Sequence, residues 1–163
     1  MGGLLMVFGI VAGSKPRGRI AMPAELVELC SEAEYREAFP VIRELHGDLD
    51  EQRYLELLGE MTPAGYRLFA IRGSSGGIVA AAGVQVLTNL YYERHLYVYD
   101  LVATEGARSG GHGGTLMDYL EELARREGCR YVALACGRER EGALRFYERR
   151  GFERPGYSMR KAL

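Results

Sequence analysis

Lysine is nearly absent from this chain. Only Lys15 and Lys161 occur, and neither sits in the Gly-Lys-Ser/Thr run that a P-loop requires. Nucleotide binding through that motif is excluded. Cysteine is also scarce. Cys30, Cys129 and Cys136 are an odd set without CxxC or CxxH spacing, which argues against a disulfide framework and a zinc site. No metal is expected, and reduced thiols in a cytoplasmic setting are the plain reading. Neither sign of charge dominates. The formal net charge is −1 over 163 residues, so no general field favours a nucleic-acid partner.

The N-terminal apolar run, Leu4 to Ala12, falls well short of the roughly 20 residues of a membrane span. Its basic residues Lys15, Arg17 and Arg19 follow it, the reverse of a secretory signal. No membrane partner is expected. Residues 1–23 read as an N-terminal extension with no assigned role, either a start upstream of Met22 or a locally packed strand. Residues 24–163 read as a single domain.

The hydrophobic fraction of 47% suits a sizeable core. Leu26 to Cys30 reads as a strand. Ser31 with Glu34 forms a capping-box pattern that opens a helix to about Leu45, and Pro40 predicts a kink or break within it. Asp50 can cap a second helix. Strands follow at Tyr66–Arg72, Ile78–Thr88 and Leu96–Ala103. The near-continuous apolarity of the second of these suggests burial on both faces. A strongly amphipathic helix starts near Thr115, with Leu116, Met117, Leu120, Leu123 and Ala124 as its apolar stripe. Tyr131–Cys136 is a further strand. Arg138 to Arg150 is a short helix. Phe152 and Tyr157–Arg160 suggest one or two final strands. The class is α+β, with a mixed sheet and helices on both faces.

Between the strand ending at Ala103 and the amphipathic helix lies Arg108-Ser-Gly-Gly-His-Gly-Gly114. Glycines allow several backbone N–H groups to point into one concavity. The following helix adds unpaired donors and the positive end of its dipole. This is a phosphate cradle by construction. The dinucleotide pattern G-x-G-x-x-G fails, because counting from Gly111 the third glycine position is Leu116.

What remains is Arg108-x-x-Gly111-x-Gly113 after a strand and before a helix. Near the C-terminus stands Ala143-Leu-Arg-Phe-Tyr147-Glu-Arg-Arg-Gly151-Phe152. In this order and on these elements, the two motifs resemble those of the GCN5-related N-acetyltransferase (GNAT) superfamily over roughly residues 24–163. The chain departs from the family pattern at Arg140, where an Asn is common, and at Tyr99, where a Glu is common.

The resemblance implies a mostly antiparallel sheet of six or seven strands with a splayed central parallel pair. It implies acetyl-CoA as cosubstrate and direct acetyl transfer to a primary amine of a small molecule or peptide. A homodimer is common among such proteins. The backbone of Leu101, Val102 and Ala103 would bond the pantetheine, and one of their N–H groups would polarise the thioester carbonyl. Arg108, Ser109, Gly110, Gly111, His112, Gly113 and Gly114 would form the pyrophosphate loop. Arg108 would either orient that loop or face a phosphate.

Tyr147 is the candidate acid for the leaving sulfur. A phenol near pKa 10 can serve a thiolate near 8.5 without being ionised itself. Something must also accept a proton from the amine. Asp100 is the candidate base, with Glu93, His95, Tyr97 and Tyr99 nearby in sequence. His46 and Asp48 stand as the opposite rim of an acceptor site whose other wall is the tyrosine-rich hairpin. Two other classes stay open: a non-catalytic acyl-CoA-binding module on the same fold, and an interaction protein with a glycine turn that binds no phosphate.

Overall fold

The computed structural model describes residues 26–162, so the extension at 1–23 lies outside the described residues. Five strands form one sheet in the order β1-β2-β3-β4-β5. They are β1 Leu26–Leu29, β2 Arg67–Arg72, β3 Ile78–Asn89, β4 Glu93–Ala103 and β5 Tyr131–Leu134. The first four pair antiparallel in succession, and β5 joins β4 in parallel. Helices α1 Glu32–Arg43 and α2 Glu51–Met61 connect β1 to β2, and α3 His112–Arg126 connects β4 to β5. Helix α4 spans Glu141–Arg149.

The capping signals act as expected. Ser31 and Glu34 form a reciprocal capping box on α1, and Asp50 Oδ1 accepts from Arg53 N at 2.8 Å on α2. Helix α1 does not break at Pro40. A proline there removes a single helical hydrogen bond, and the buried face of Ala38, Phe39, Val41 and Ile42 offsets that loss.

Two apolar cores sandwich the sheet. One lies under α3 and contains Leu116, Met117 and Leu120 with Phe69, Ala80, Ala82, Val84, Leu96 and Val98. The other lies under α1 and α2 and contains Phe39, Ile42, Tyr54 and Leu58 with Leu68, Ala70, Ala81 and Val102. Strand β3 contributes to both, which explains its unbroken apolar sequence.

Strand β4 carries the decisive irregularity. Gly83 pairs with Asp100 and Val84 pairs with Val98, so Tyr99 is an extra residue with no partner of its own on β3. Such a bulge inverts the alternation of every later side chain. Before it, Leu96 and Val98 face the α3 core. After it, Val102 belongs to the opposite core, while Leu101 and Ala103 pack toward α3. Asp100 thereby turns toward α1 and α2.

The splay of the central pair is also present. β5 pairs only with His95–Val98, from Tyr131 to Leu134, while β4 runs on to Ala103. Residues 99–103 are therefore unpaired on that side.

The strand count differs from the expected six or seven, because no strand forms after α4 among the described residues. Pro155 lacks a ladder donor, and Tyr157 and Met159 are 84% and 92% exposed. With neither face buried, nothing specifies a register. Phe152 alone of this segment packs against the α3 core.

Replacing Ser31 by Ala is expected to cost about 1 kcal/mol through loss of the capping box. Urea denaturation should show a lower midpoint at unchanged slope. An unchanged midpoint would mean that the box contributes nothing.

Candidate active site

The glycine segment folds differently from a plain loop. Glu105–Gly110 is a 3-10 turn, and Gly111 takes a left-handed conformation with φ of 74°. Helix α3 begins at His112, three residues before the expected start at Thr115. The first intrahelical bond runs from Thr115 N to Gly111 O at 3.0 Å. The N–H groups of His112, Gly113 and Gly114 therefore have no intrahelical acceptor, and no side chain caps this end. A residue with Cβ is strained at Gly111, where φ is positive. At Gly110 a Cβ would meet the His112 ring at 2.8 Å. Three converging donors at the positive end of a 15-residue helix are chemically fitted to a phosphate.

Arg108 is held by two hydrogen bonds. Its Nε–H donates to Ala103 O at 3.4 Å and its Nη2–H to Glu44 Oε2 at 3.3 Å. It ties the 3-10 turn to the end of β4 and to the segment after α1.

Tyr147 lies on α4, with ring centroids 5.3 Å from Phe146 and 5.5 Å from Phe152. It packs with Leu101, Ala103 and Leu134 against the α3 core. Burial pushes its phenol up to about 12, so the hydroxyl stays protonated at neutral pH. Burial also raises the Cys136 thiol, which favours its protonated form. Arg140, just before α4, donates from Nη2 to Leu45 O at 3.2 Å. It anchors α4 to the segment between α1 and α2.

Asp100 is buried on the opposite face. The Tyr66 hydroxyl donates to its Oδ2 at 2.8 Å, and His46 Nε2–H donates to its Oδ1 at 2.6 Å. Both carboxylate oxygens are thus engaged. Gly83 makes this possible, since a Cβ there would lie 1.7 Å from the Tyr66 hydroxyl and 2.7 Å from Asp100 Oδ2. The side chain of Asp100 is 11% exposed and that of His46 is 46% exposed, so His46 connects the buried carboxylate to solvent. The hydrogen bond to Asp100 raises the His46 pKa above 6.5, with burial opposing it. A cavity of about 600 Å³ opens beside this pair, between β4 and the helices α1 and α2.

The sequence placed His46 with Asp48 on a rim opposite the tyrosine-rich hairpin and offered Asp100 separately as the base. The structure makes His46 and Asp100 one hydrogen-bonded pair. Tyr66 carried no sequence signal, though a glycine interrupting an apolar strand at Gly83 marks a close approach. Tyr99 and Asp48 do line the cavity. His95 is buried and bonds the Glu93 carbonyl at 3.0 Å through Nδ1, away from Asp100. Among the described residues, no group of three or more His, Cys, Asp or Glu side chains is placed to hold a metal ion. Nor is any helix long and apolar enough to cross a membrane.

The model of the acetyltransferase (GNAT) family matches residues 28–152. The uncharacterized N-acetyltransferase YhdJ of Bacillus subtilis (strain 168) is 35% identical over 136 residues, covering 82% of this chain and 95% of that protein. A Trypanosoma brucei acetyltransferase shares the fold with a TM-score of 0.71 at 24% identity, over 85% of this chain and 99% of its own. Glucosamine-6-phosphate N-acetyltransferase from Arabidopsis thaliana is similar at a TM-score of 0.66 and 19% identity, over 84% and 97% of the two chains.

The His46 imidazole should titrate above 6.5, read by NMR, and Asp100→Asn should bring it back toward that value. The folded value lies above the unfolded one. The pair's contribution to stability is therefore full below pH 6.5 and fades as pH rises through the raised value. A His46 that titrates at or below 6.5 would contradict the pairing.

Proposed function

The chain belongs to the GNAT acetyltransferase family, and we propose that it transfers an acetyl group from acetyl-CoA directly to a primary amine of a small molecule or peptide. The carrying observation is the free edge of β4 from Tyr99 to Ala103, which leads toward the uncapped N-terminus of α3. Residues 24–163 would form this one domain, with the acceptor on one side of the sheet and the tyrosine on the other.

The residues fit the donor. His112, Gly113 and Gly114 supply N–H groups for the pyrophosphate, and Ser109 to Gly111 shape the turn before them. Leu101 and Ala103 turn their backbone groups to the open edge for the pantetheine, while Val102 between them pairs with Ala81 on β3 and holds the strand in place. Bound acetyl-CoA supplies an acetyl thioester, whose carbonyl carbon the amine attacks and whose sulfur leaves as a thiolate.

One N–H of residues 101–103 is a fixed donor to the carbonyl oxygen as negative charge develops there. Such a donor is worth about 3–4 kcal/mol. Tyr147, protonated at neutral pH, donates a hydrogen bond from its hydroxyl to the departing sulfur and stabilises the thiolate as it leaves. Its hydroxyl has no hydrogen-bond partner among the described residues and is free for that role.

On the other face, Asp100 is fully engaged and acts through His46. With Nε2–H held by the carboxylate, Nδ1 of the neutral ring accepts the proton that the attacking amine must lose. The neutral form is required, so activity should rise with pH through the raised His46 value.

Tyr147→Phe should lower kcat by about 10²-fold or more while the Kd for acetyl-CoA stays within about threefold. Equal turnover by the variant would remove the tyrosine from the mechanism. Gly111→Glu should abolish acetyl-CoA binding in a calorimetric titration, whereas Gly111→Ala, with the same backbone strain, should retain it. Retained binding by Gly111→Glu would refute the phosphate site.

A further inference from the structure

The cavity beside His46 and Asp100 carries more than a general acceptor role. At about 600 Å³ it has the size of a small-molecule site. Its apolar wall comes from the two helices and the segment joining them: Ile42, Leu45, Leu49, Leu57, Leu58 and Met61. Its polar groups converge on Asp100. Tyr66 and His46 bond that carboxylate directly. Tyr54 lies near enough to feel its charge, and burial with that charge holds the phenol well above its usual range.

Tyr54 is the unexplained member. It is 4% exposed, and its hydroxyl is buried with no hydrogen-bond partner among the described residues. Buried polar atoms are almost always bonded, so an orphan in the wall of a cavity points to a ligand that completes it.

The charges of the lining narrow the ligand further. Asp48 and Asp100 are its acids, and the described residues lining it include no lysine or arginine. A phosphate or carboxylate on the acceptor would face two acids, with Arg140, outside the lining and bonded to the Leu45 carbonyl, as the neighbouring cation. A polyamine could set one further ammonium against Asp48 but would leave the rest against apolar walls, which is costly without pairing. A peptide backbone would bury unpaired amides in the same walls. A single lysine stem would fill only part of the volume.

Resting on the acetyltransferase reading, we infer that the acceptor is a small primary amine on a compact, uncharged apolar body. The body packs between α1 and α2, and the amine reaches the cluster of Tyr54, Tyr66, Asp100 and His46. The half-exposed His46 is the exit for the proton.

The test uses the full chain with acetyl-CoA and follows thiol release. The amines are 2-phenylethylamine, hexylamine, spermidine, glucosamine 6-phosphate and an N-terminally blocked lysine peptide. The two apolar amines should exceed the other three at least tenfold in kcat/KM. Leu57→Arg should raise KM for 2-phenylethylamine at least tenfold without changing acetyl-CoA affinity. Fastest transfer to the peptide, the sugar phosphate or spermidine would overturn the inference and leave the acetyltransferase reading intact. Failure to bind acetyl-CoA would overturn both. If acetyl-CoA binds but no amine is acetylated, calorimetry of 2-phenylethylamine on the CoA-loaded protein decides. Binding that Leu57→Arg weakens tenfold would uphold the pocket assignment, and no binding would overturn it.

Discussion

One extra residue in the central strand governs the geometry of the whole site. Without Tyr99 as a bulge, Leu96, Val98, Asp100 and Val102 would share one face of β4 and the carboxylate would point into the apolar core under α3. A bare carboxylate there would be heavily penalised. The bulge sends Asp100 to the other face, where Tyr66 and His46 wait for it. It falls where β4 parts from β5, after Val98 and Leu134. One local irregularity therefore aims the buried acid at the cavity beside α1 and α2 and coincides with the start of the open edge. That edge ends near the N-terminus of α3. The donor and acceptor halves of the proposed reaction meet along five residues of a single strand.

The buried polar group is held by several independent constraints. Gly83 leaves room for the Tyr66 hydroxyl across the β3–β4 pair, and any side chain there would collide with it. His46 comes from the segment after α1, whose carbonyl at Leu45 is gripped by Arg140 ahead of α4. Arg108 adds a tie from the 3-10 turn to Glu44 in the same segment. Both arginines are exposed, so each tie is worth little by itself. Together they link the 3-10 turn and the start of α4 to the His46 segment.

Much of this was legible in the residues. Ser31, Glu34 and Asp50 announce helix starts because capping is a local interaction. The stripe from Leu116 to Ala124 announces α3 because helical periodicity is local too. The glycines from 110 to 114, together with Ala143–Phe152, indicate the family. What escaped was non-local. A bulge leaves no mark in the run from Leu96 to Ala103, because it exists only in the register with β3. His46 and Asp100 are 54 positions apart and meet only after α1, α2 and four strands have packed. The start of α3 was misplaced because Gly113 and Gly114 are poor helix formers, tolerated in a first turn where close packing and free N–H groups matter more. The last strands were over-read from Phe152 and Tyr157, since β-propensity cannot act without a buried face.

Hydrogen exchange of individual amides, with and without acetyl-CoA, tests the central claim most directly. The free edge of β4 and the first turn of α3 should be where the donor is gripped. The amides of Leu101 and Ala103, which face the open edge, and of His112–Gly114 should slow markedly on binding, more than any others in the protein. Protection centred elsewhere, or binding that leaves both segments exchanging as before, would contradict the account.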